Sequence, residues 1–281
     1  MLRIENQQFD EERALYDTHG AEILNCRFDG PADGESAMKE CSDLVADGCY
    51  LNLRYPFWHV DRAVIRNSEM TEKCRAALWY DTEIEIENTV MDGIKALREC
   101  RGVRLRDCTV HSPEFLWRCS DIRVSGGSLE SEYPFFECRG ILIDGLQMKG
   151  KYSFQYTKNV TIRNAVLDTK DAFWHSENVT VYDSLVKGEY LGWYSRGLHL
   201  VRCRIVGTQP LCYCKDLVLE DCTMEQTDLS FEYSEVNATV KGKIESVKNP
   251  ADGRIEADAI GSVIWDSARV SEKNTDIVLH G

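Results

Sequence analysis

The chain has 281 residues, is 43% hydrophobic and 28% charged, and carries 12 cysteines and a formal net charge of −14. So acidic a surface repels polyanions, which excludes nucleic acid as an expected partner and disfavours strongly acidic polysaccharides. No window is apolar over the length of a signal peptide or a membrane span, so a soluble, cytoplasmic protein without a membrane partner is expected.

In chain order, residues 1–20 read as an N-terminal strand or cap, and a repeat takes over from residue 21. "AEILNCRF" from 21, "DLVADGCY" from 43 and "AVIRNSEM" from 63 follow one another at intervals of 20 to 22 residues. From "IEIENTVM" at 84, through "VRLRDCTV" at 103 and "VTVYDSLV" at 179, to "LVLEDCTM" at 217, each unit begins 19 residues after the last. Positions 1 and 3 are mostly β-branched or Leu, position 5 is mostly Asn, Asp or Gly, and position 6 is small or Cys. This is period-two patterning broken by a turn residue, which makes short strands and no helix. A strand, a bend, a second strand, a loop and a third strand consume one such interval. The expected fold is therefore all-β: a single-stranded right-handed parallel β-helix of about eleven coils over residues 21–236.

Twelve cysteines without a CxxC pair make neither a zinc motif nor an evident disulfide framework, so no metal and no cofactor are expected. Cys100, Cys119 and Cys138, and likewise Cys203 and Cys222, are 19 residues apart and should stack as interior columns of small hydrophobes. Asn25, Asn67, Asn88 and Asn164, with Asp47, Asp107, Asp183 and Asp221, should line the bend and satisfy local backbone N–H groups. Past residue 237 the rung pattern fails, with Val240 in the bend position. Alternating residues around Asp252-Gly253 carry a hairpin signal, so 237–281 reads as a C-terminal β cap, with Trp265 plugging the core.

The rungs "SENVTVYD" and "TKNVTIRN" resemble those of the pectin-lyase-like superfamily of right-handed β-helices. More narrowly, "GESAMKE" (34–40), "YPFWH" (55–59), "ALWY" (77–80), "GTQPLCYCKDL" (207–217) and "VKNPADGRIEAD" (247–258) are similar to a bacterial family catalogued as a domain of unknown function and sometimes labelled as hydrolases. That resemblance spans nearly the whole chain and implies the fold more than a reaction. The NTD, DD and GHG strings of polygalacturonases do not occur, so no catalytic residue carries over from them.

Position 14 of the repeat is almost purely apolar, from Met38 and Phe57 to Phe173 and Leu211, and should face inward, with Gly192 and Ser230 departing from it. Position 15 must then face outward by strand alternation. It holds five of the six tryptophans, interleaved with Lys39, Arg98 and Gln155 and ending at Cys212 and Phe231. Position 16 runs Glu40, His59, Tyr80, Glu99, Arg118, Glu137, Tyr156, His175, Tyr194, Tyr213 and Glu232. Together the two columns make an aromatic, ionisable face suited to a neutral oligo- or polysaccharide. Trp117, Phe136, Tyr156, Trp174, Trp193, Tyr194 and Tyr213 are its candidate substrate-binding residues.

For glycoside hydrolysis, Glu99 and Glu137 stand two coils apart, about 9 to 10 Å between Cα atoms and near the upper end of the inverting range. Arg118 lies between them, and the bland alternative is an ion ladder. His175 is a candidate proton carrier that Asp171 could join. The alternative function is a non-catalytic β-helix that binds glycan or forms a homo-oligomer through the aromatic face, and packing alone would also explain stacked rings.

Overall fold

The computed structural model describes residues 1–266 and 274–280. Among them there is no helix, and therefore none long and apolar enough to cross a membrane. The chain forms two compact units, Met1–Ile141 and Leu142–Gly281.

In the first unit, Leu2–Glu5, His19–Leu24, Ser42–Asp47, Asp61–Arg66, Thr82–Glu87, Arg101–Arg106 and Ser120–Ser125 pair in parallel, each with its counterpart one coil away. Inward residues stack on inward residues: Ala21 on Leu44, Leu44 on Ala63, Ala63 on Ile84, Ile84 on Val103 and Val103 on Ile122. Shorter strands such as Glu69–Met70 and Val90–Met91 form a second wall. Isolated bridges between Trp58, Trp79, Arg98 and Trp117 mark a third.

The second unit repeats this plan. Lys158–Arg163, Glu177–Tyr182, Arg196–Val201 and Leu217–Glu225 pair in parallel, with Val160, Val179 and Leu198 in one buried row. Gln147–Lys151, Val166–Lys170, Leu185–Lys187 and Arg204–Val206 make its second wall. The fold is thus an all-β solenoid of parallel strands, with about 14 turns where the repeat alone predicts eleven. The extra turns arise because the strand Leu2–Glu5 and the strands Glu235–Lys248, Asp252–Ile264 and Asn274–Leu279 also pair in parallel with their neighbours. Asp252-Gly253 therefore opens a parallel strand and makes no hairpin. Trp265 follows that strand and is half-buried.

The interior follows the repeat. Position 14 is closed to solvent from Met38 to Leu211, and burying each Phe there contributes about 1.5–3 kcal/mol. All twelve cysteines are free and buried. The Cys100 and Cys119 amides each donate to the thiol one coil on, at 3.4 and 3.3 Å, so the column is a hydrogen-bonded stack and not a set of inert fillers.

Two register details differ from the constant step. In the coil of Asp47 the left-handed bend residue is Gly48, and Leu44 and Ala46 point inward. In the last coil of the aromatic face Phe231, not Ser230, takes the inward place of position 14, Glu232 moves to position 15 and Tyr233 to position 16. Left-handed conformations at Leu229, Phe231 and Tyr233 repeat those of Gln209, Leu211 and Tyr213, one residue later than a 19-residue step allows. The extra residue is recovered before Val236, which pairs with Leu217 without the left-handed residue that Asp216 supplies one coil earlier.

The bend side chains bond chiefly to one another. Asn88 Nδ2 donates to Asn67 Oδ1 and Asn67 Nδ2 to Asp47 Oδ1, both at 2.8 Å, an amide ladder running from coil to coil.

Candidate functional site

The coil of Phe173, Trp174, His175 and Ser176 places position 14 inside, position 15 half-buried, position 16 at the surface and position 17 inside again. Phe173 and His175 both have left-handed backbone, with φ of 64° and 54°. That conformation costs a non-glycine residue roughly 1–2 kcal/mol. Inter-coil hydrogen bonds hold it: Phe173 N–H donates to Ser153 O at 2.9 Å, and His175 N–H to Trp193 O at 3.1 Å.

Position 15 is a packed column. Trp58 stacks on Trp79 at 5.0 Å between ring centroids, and Trp174 on Trp193 at 5.4 Å, with planes within 5° and 4° of parallel. The Arg98 guanidinium lies between Trp79 and Trp117, 4.8 and 4.6 Å from their rings, while one of its amino groups donates to Glu114 at 2.8 Å. Trp117 also packs on Phe136 at 5.0 Å. Every indole N–H on this face is committed to a backbone carbonyl 16 to 18 residues on: Trp58 to Ala76, Trp79 to Lys95, Trp117 to Tyr133, Trp174 to Tyr190 and Trp193 to Gln209. The stacked indoles thus turn their faces to one another and their donors to the chain. The position 15 tryptophans, expected to face outward, are half-buried, and Cys212 is wholly buried.

Position 16 differs in the two units. In the first, His59 stacks on Tyr80 at 5.0 Å, and Arg118 Nε donates to Glu99 Oε1 at 2.6 Å. Arg118 pairs with Glu99 and not with Glu137, and the Glu99 and Arg118 side chains remain 36% and 45% exposed. In the second unit, Tyr156, His175, Tyr194 and Tyr213 form one stack, at successive spacings of 5.0, 5.1 and 4.8 Å, and Tyr233 packs on Tyr213 at 5.7 Å with its plane tilted by 34°. The first three ring pairs lie within 7°, 7° and 13° of parallel. Tyr156 and Tyr194 are 48% and 47% exposed, so what solvent meets is the ring edge and its hydroxyl. Burial, with the charge of Glu232 beside it, pushes the Tyr213 phenol up, which keeps its proton in place as a donor. Glu232 itself pairs with Lys248 at 2.8 Å.

Asp171 is buried and its carboxyl is pushed up by desolvation, with Glu189 adding to the rise and Lys170 opposing it. No hydrogen bond joins it to His175 among the described residues, and its carbonyl instead accepts from Gln155 at 3.4 Å. Tyr233 is the ring that the constant step misses; the signal that finds it is the left-handed alternation, which the amino-acid pattern alone does not reveal. Among the described residues no group of three or more His, Cys, Asp or Glu is placed to hold a metal ion.

The fold and this face define a β-solenoid protein with an aromatic surface ladder. The chain belongs to the family described as a protein of unknown function, DUF3737, whose model matches residues 2–278. This agrees with the unknown-function family expected from the motifs. No curated protein matches it. Among solved structures it is similar to a periplasmic alginate epimerase, AlgG, at 8% identity and a TM-score of 0.28, over 98% of this chain and 74% of that one. It is also similar to the catalytic domain of a GH87 α-1,3-glucanase in complex with nigerose, at 7% identity and a TM-score of 0.26, over 99% of this chain and 63% of that one. A third is QnrB1, a plasmid-mediated fluoroquinolone resistance protein, at 12% identity and a TM-score of 0.19, over 81% and 90%. Likenesses of this size bear on neither activity nor substrate.

Proposed function

We propose that this protein is a non-catalytic, glycan-binding β-helix whose binding face is the exposed column of the second unit. The observation that carries the reading is the ladder of stacked rings Tyr156, His175, Tyr194 and Tyr213, with Tyr233 tilted against its end. A phenol can offer a donor and an acceptor and a neutral imidazole one of each, the complement that sugar hydroxyls require, as at Tyr194 and His175. Stacking already orders the rings, so little side-chain entropy is lost when a ligand arrives. The tryptophans contribute rigidity, since their faces and N–H groups are spent within the protein.

A hydrolase needs a positioned acid and base. Glu99 is held by Arg118, and Asp171 is buried away from the His175 edge, which favours binding without turnover. The test is calorimetry against a neutral glycan panel together with an assay for released reducing ends. Binding without release, weakened about fivefold (~1 kcal/mol) by Tyr194→Phe and untouched by Glu137→Gln or Glu99→Gln, is expected. Reducing ends that appear with wild type and vanish with Glu137→Gln would establish the hydrolase instead.

A further inference from the structure

We infer that the aromatic columns of the second unit relay oxidising equivalents. An electron lost from Trp174 or Trp193 to a one-electron oxidant is replaced from the phenol row, and the radical comes to rest on Tyr194, where a small soluble reductant quenches it. The inference goes beyond glycan binding and does not depend on it.

The two columns touch at Trp193. Its indole stacks on Trp174 at 5.4 Å and meets Tyr190, Tyr194 and Tyr213 edge to face at 5.2, 6.3 and 5.2 Å. Tyr194 in turn lies 5.1 Å from His175 and 4.8 Å from Tyr213. Rings in van der Waals contact exchange an electron faster than either reacts with a solute, so an oxidised indole and its phenol neighbours form one redox unit.

Where the radical settles depends on where a proton can go. The Trp174 N–H donates to Tyr190 O at 2.6 Å and the Trp193 N–H to Gln209 O at 2.8 Å. An amide carbonyl is too weak a base to take that proton, and both indoles are half-buried. The oxidised ring therefore remains a radical cation and draws an electron from the next ring. A phenol that supplies the electron releases its O–H proton to water where its edge is wet, and Tyr194 is 47% exposed. Burial and the charge of Glu232 make Tyr213 hold its proton more tightly. Lys170 lies over the Tyr190 ring, 5.4 Å from its centre, where a cation opposes electron loss. Tyr194 is left as the resting place. Across the relay the oxidant gains one electron, Tyr194 loses one electron and one proton to become a neutral phenoxyl, and ascorbate returns both.

The experiment oxidises the full chain with pulse-generated azide radicals, which attack indoles in preference to neutral phenols, and locates the radical with a nitroso spin trap and peptide mapping. Adducts on Tyr194 should exceed those on Trp174 and Trp193 about tenfold, the ratio that ~59 mV between two one-electron couples produces. The double variant Trp174→Phe, Trp193→Phe keeps rings in both places but removes the entry point, and should lose most of the Tyr194 adduct. Trp193→Phe alone removes the indole that touches the phenols and should give the same loss, which keeps the test available if the double variant does not fold. Ascorbate added with the trap should suppress the adduct. A Tyr194 adduct unchanged by loss of the indoles, or wild-type adducts that stay on Trp174 and Trp193, overturns the inference and leaves glycan binding intact.

Discussion

At the residue scale, Asp81 is the more deeply buried of the two carboxylates, with Asp171, that are closed to solvent among the described residues, and its counterparts one coil away are Val60 and Cys100. Its Oδ1 accepts the Val60 N–H at 2.8 Å, while Oδ2 is buried without a hydrogen-bond partner. Desolvation, reinforced by the Cys100 thiol, pushes the carboxyl well above its ordinary value, so the folded state holds the proton more tightly than the unfolded chain. The stability this contributes is complete below the unfolded value of about 3.9 and is lost as pH rises through the folded one. Asp81→Asn keeps the acceptor and removes the titration. Its melting temperature should exceed that of wild type at pH 8 by more than it does at pH 4, and a difference independent of pH would contradict this account. Asp81 reads as one more small side chain in a repeat, and its burial becomes visible only once the column is built.

At the element scale, the second unit turns a corner where successive coils nearly touch. A Cβ on Gly188 would collide with the carbonyl of Thr169, and one on Gly207 with the carbonyl of Gly188, and both glycines have positive φ. Backbone cannot yield as a side-chain tip can, so Gly188→Ala should lower the melting temperature far more than Gly20→Ala. The latter also has positive φ but opens onto free space, and should cost only about 1 kcal/mol of backbone strain. Scanning calorimetry of the two variants separates clash from strain. The rungs themselves were legible because inward residues recur at a constant step, as at Val160, Val179 and Leu198. The slip at Phe231 and Tyr233 was not, since one inserted residue cancelled by one deletion leaves the rung at Val236 on time. The Asp252-Gly253 turn misled for a different reason: its local preference for a hairpin yields to pairing with the preceding coil over the length of the strand Glu235–Lys248.

At the scale of the molecule, a solenoid derives its stability from each coil and its immediate neighbours, so whole coils are exchangeable units. Deleting Lys158–Ser176 removes one full repeat and joins Thr157 to Glu177, the residue that pairs with Lys158 in the intact chain. The shortened protein should fold with a modestly lower melting temperature in scanning calorimetry, and loss of a cooperative transition would show that the coils are not exchangeable. Glycan affinity should also vary little with salt, because no net charge is neutralised on binding. That position 16 is exposed beside an apolar position 14 was readable from the repeat, but the half-burial of the tryptophans and the orientation of the ring planes were not. The orientation depends on each indole donating to the next coil. The same geometry has an optical consequence. Trp58 with Trp79, and Trp174 with Trp193, stack closely enough for their electronic transitions to couple, so circular dichroism at the strong far-ultraviolet indole transition should show a split band that Trp193→Phe diminishes. Because such coupling falls steeply with separation, each unit carries an intrinsic gauge of its coil spacing, able to register stretching or loosening of the stack without any added label.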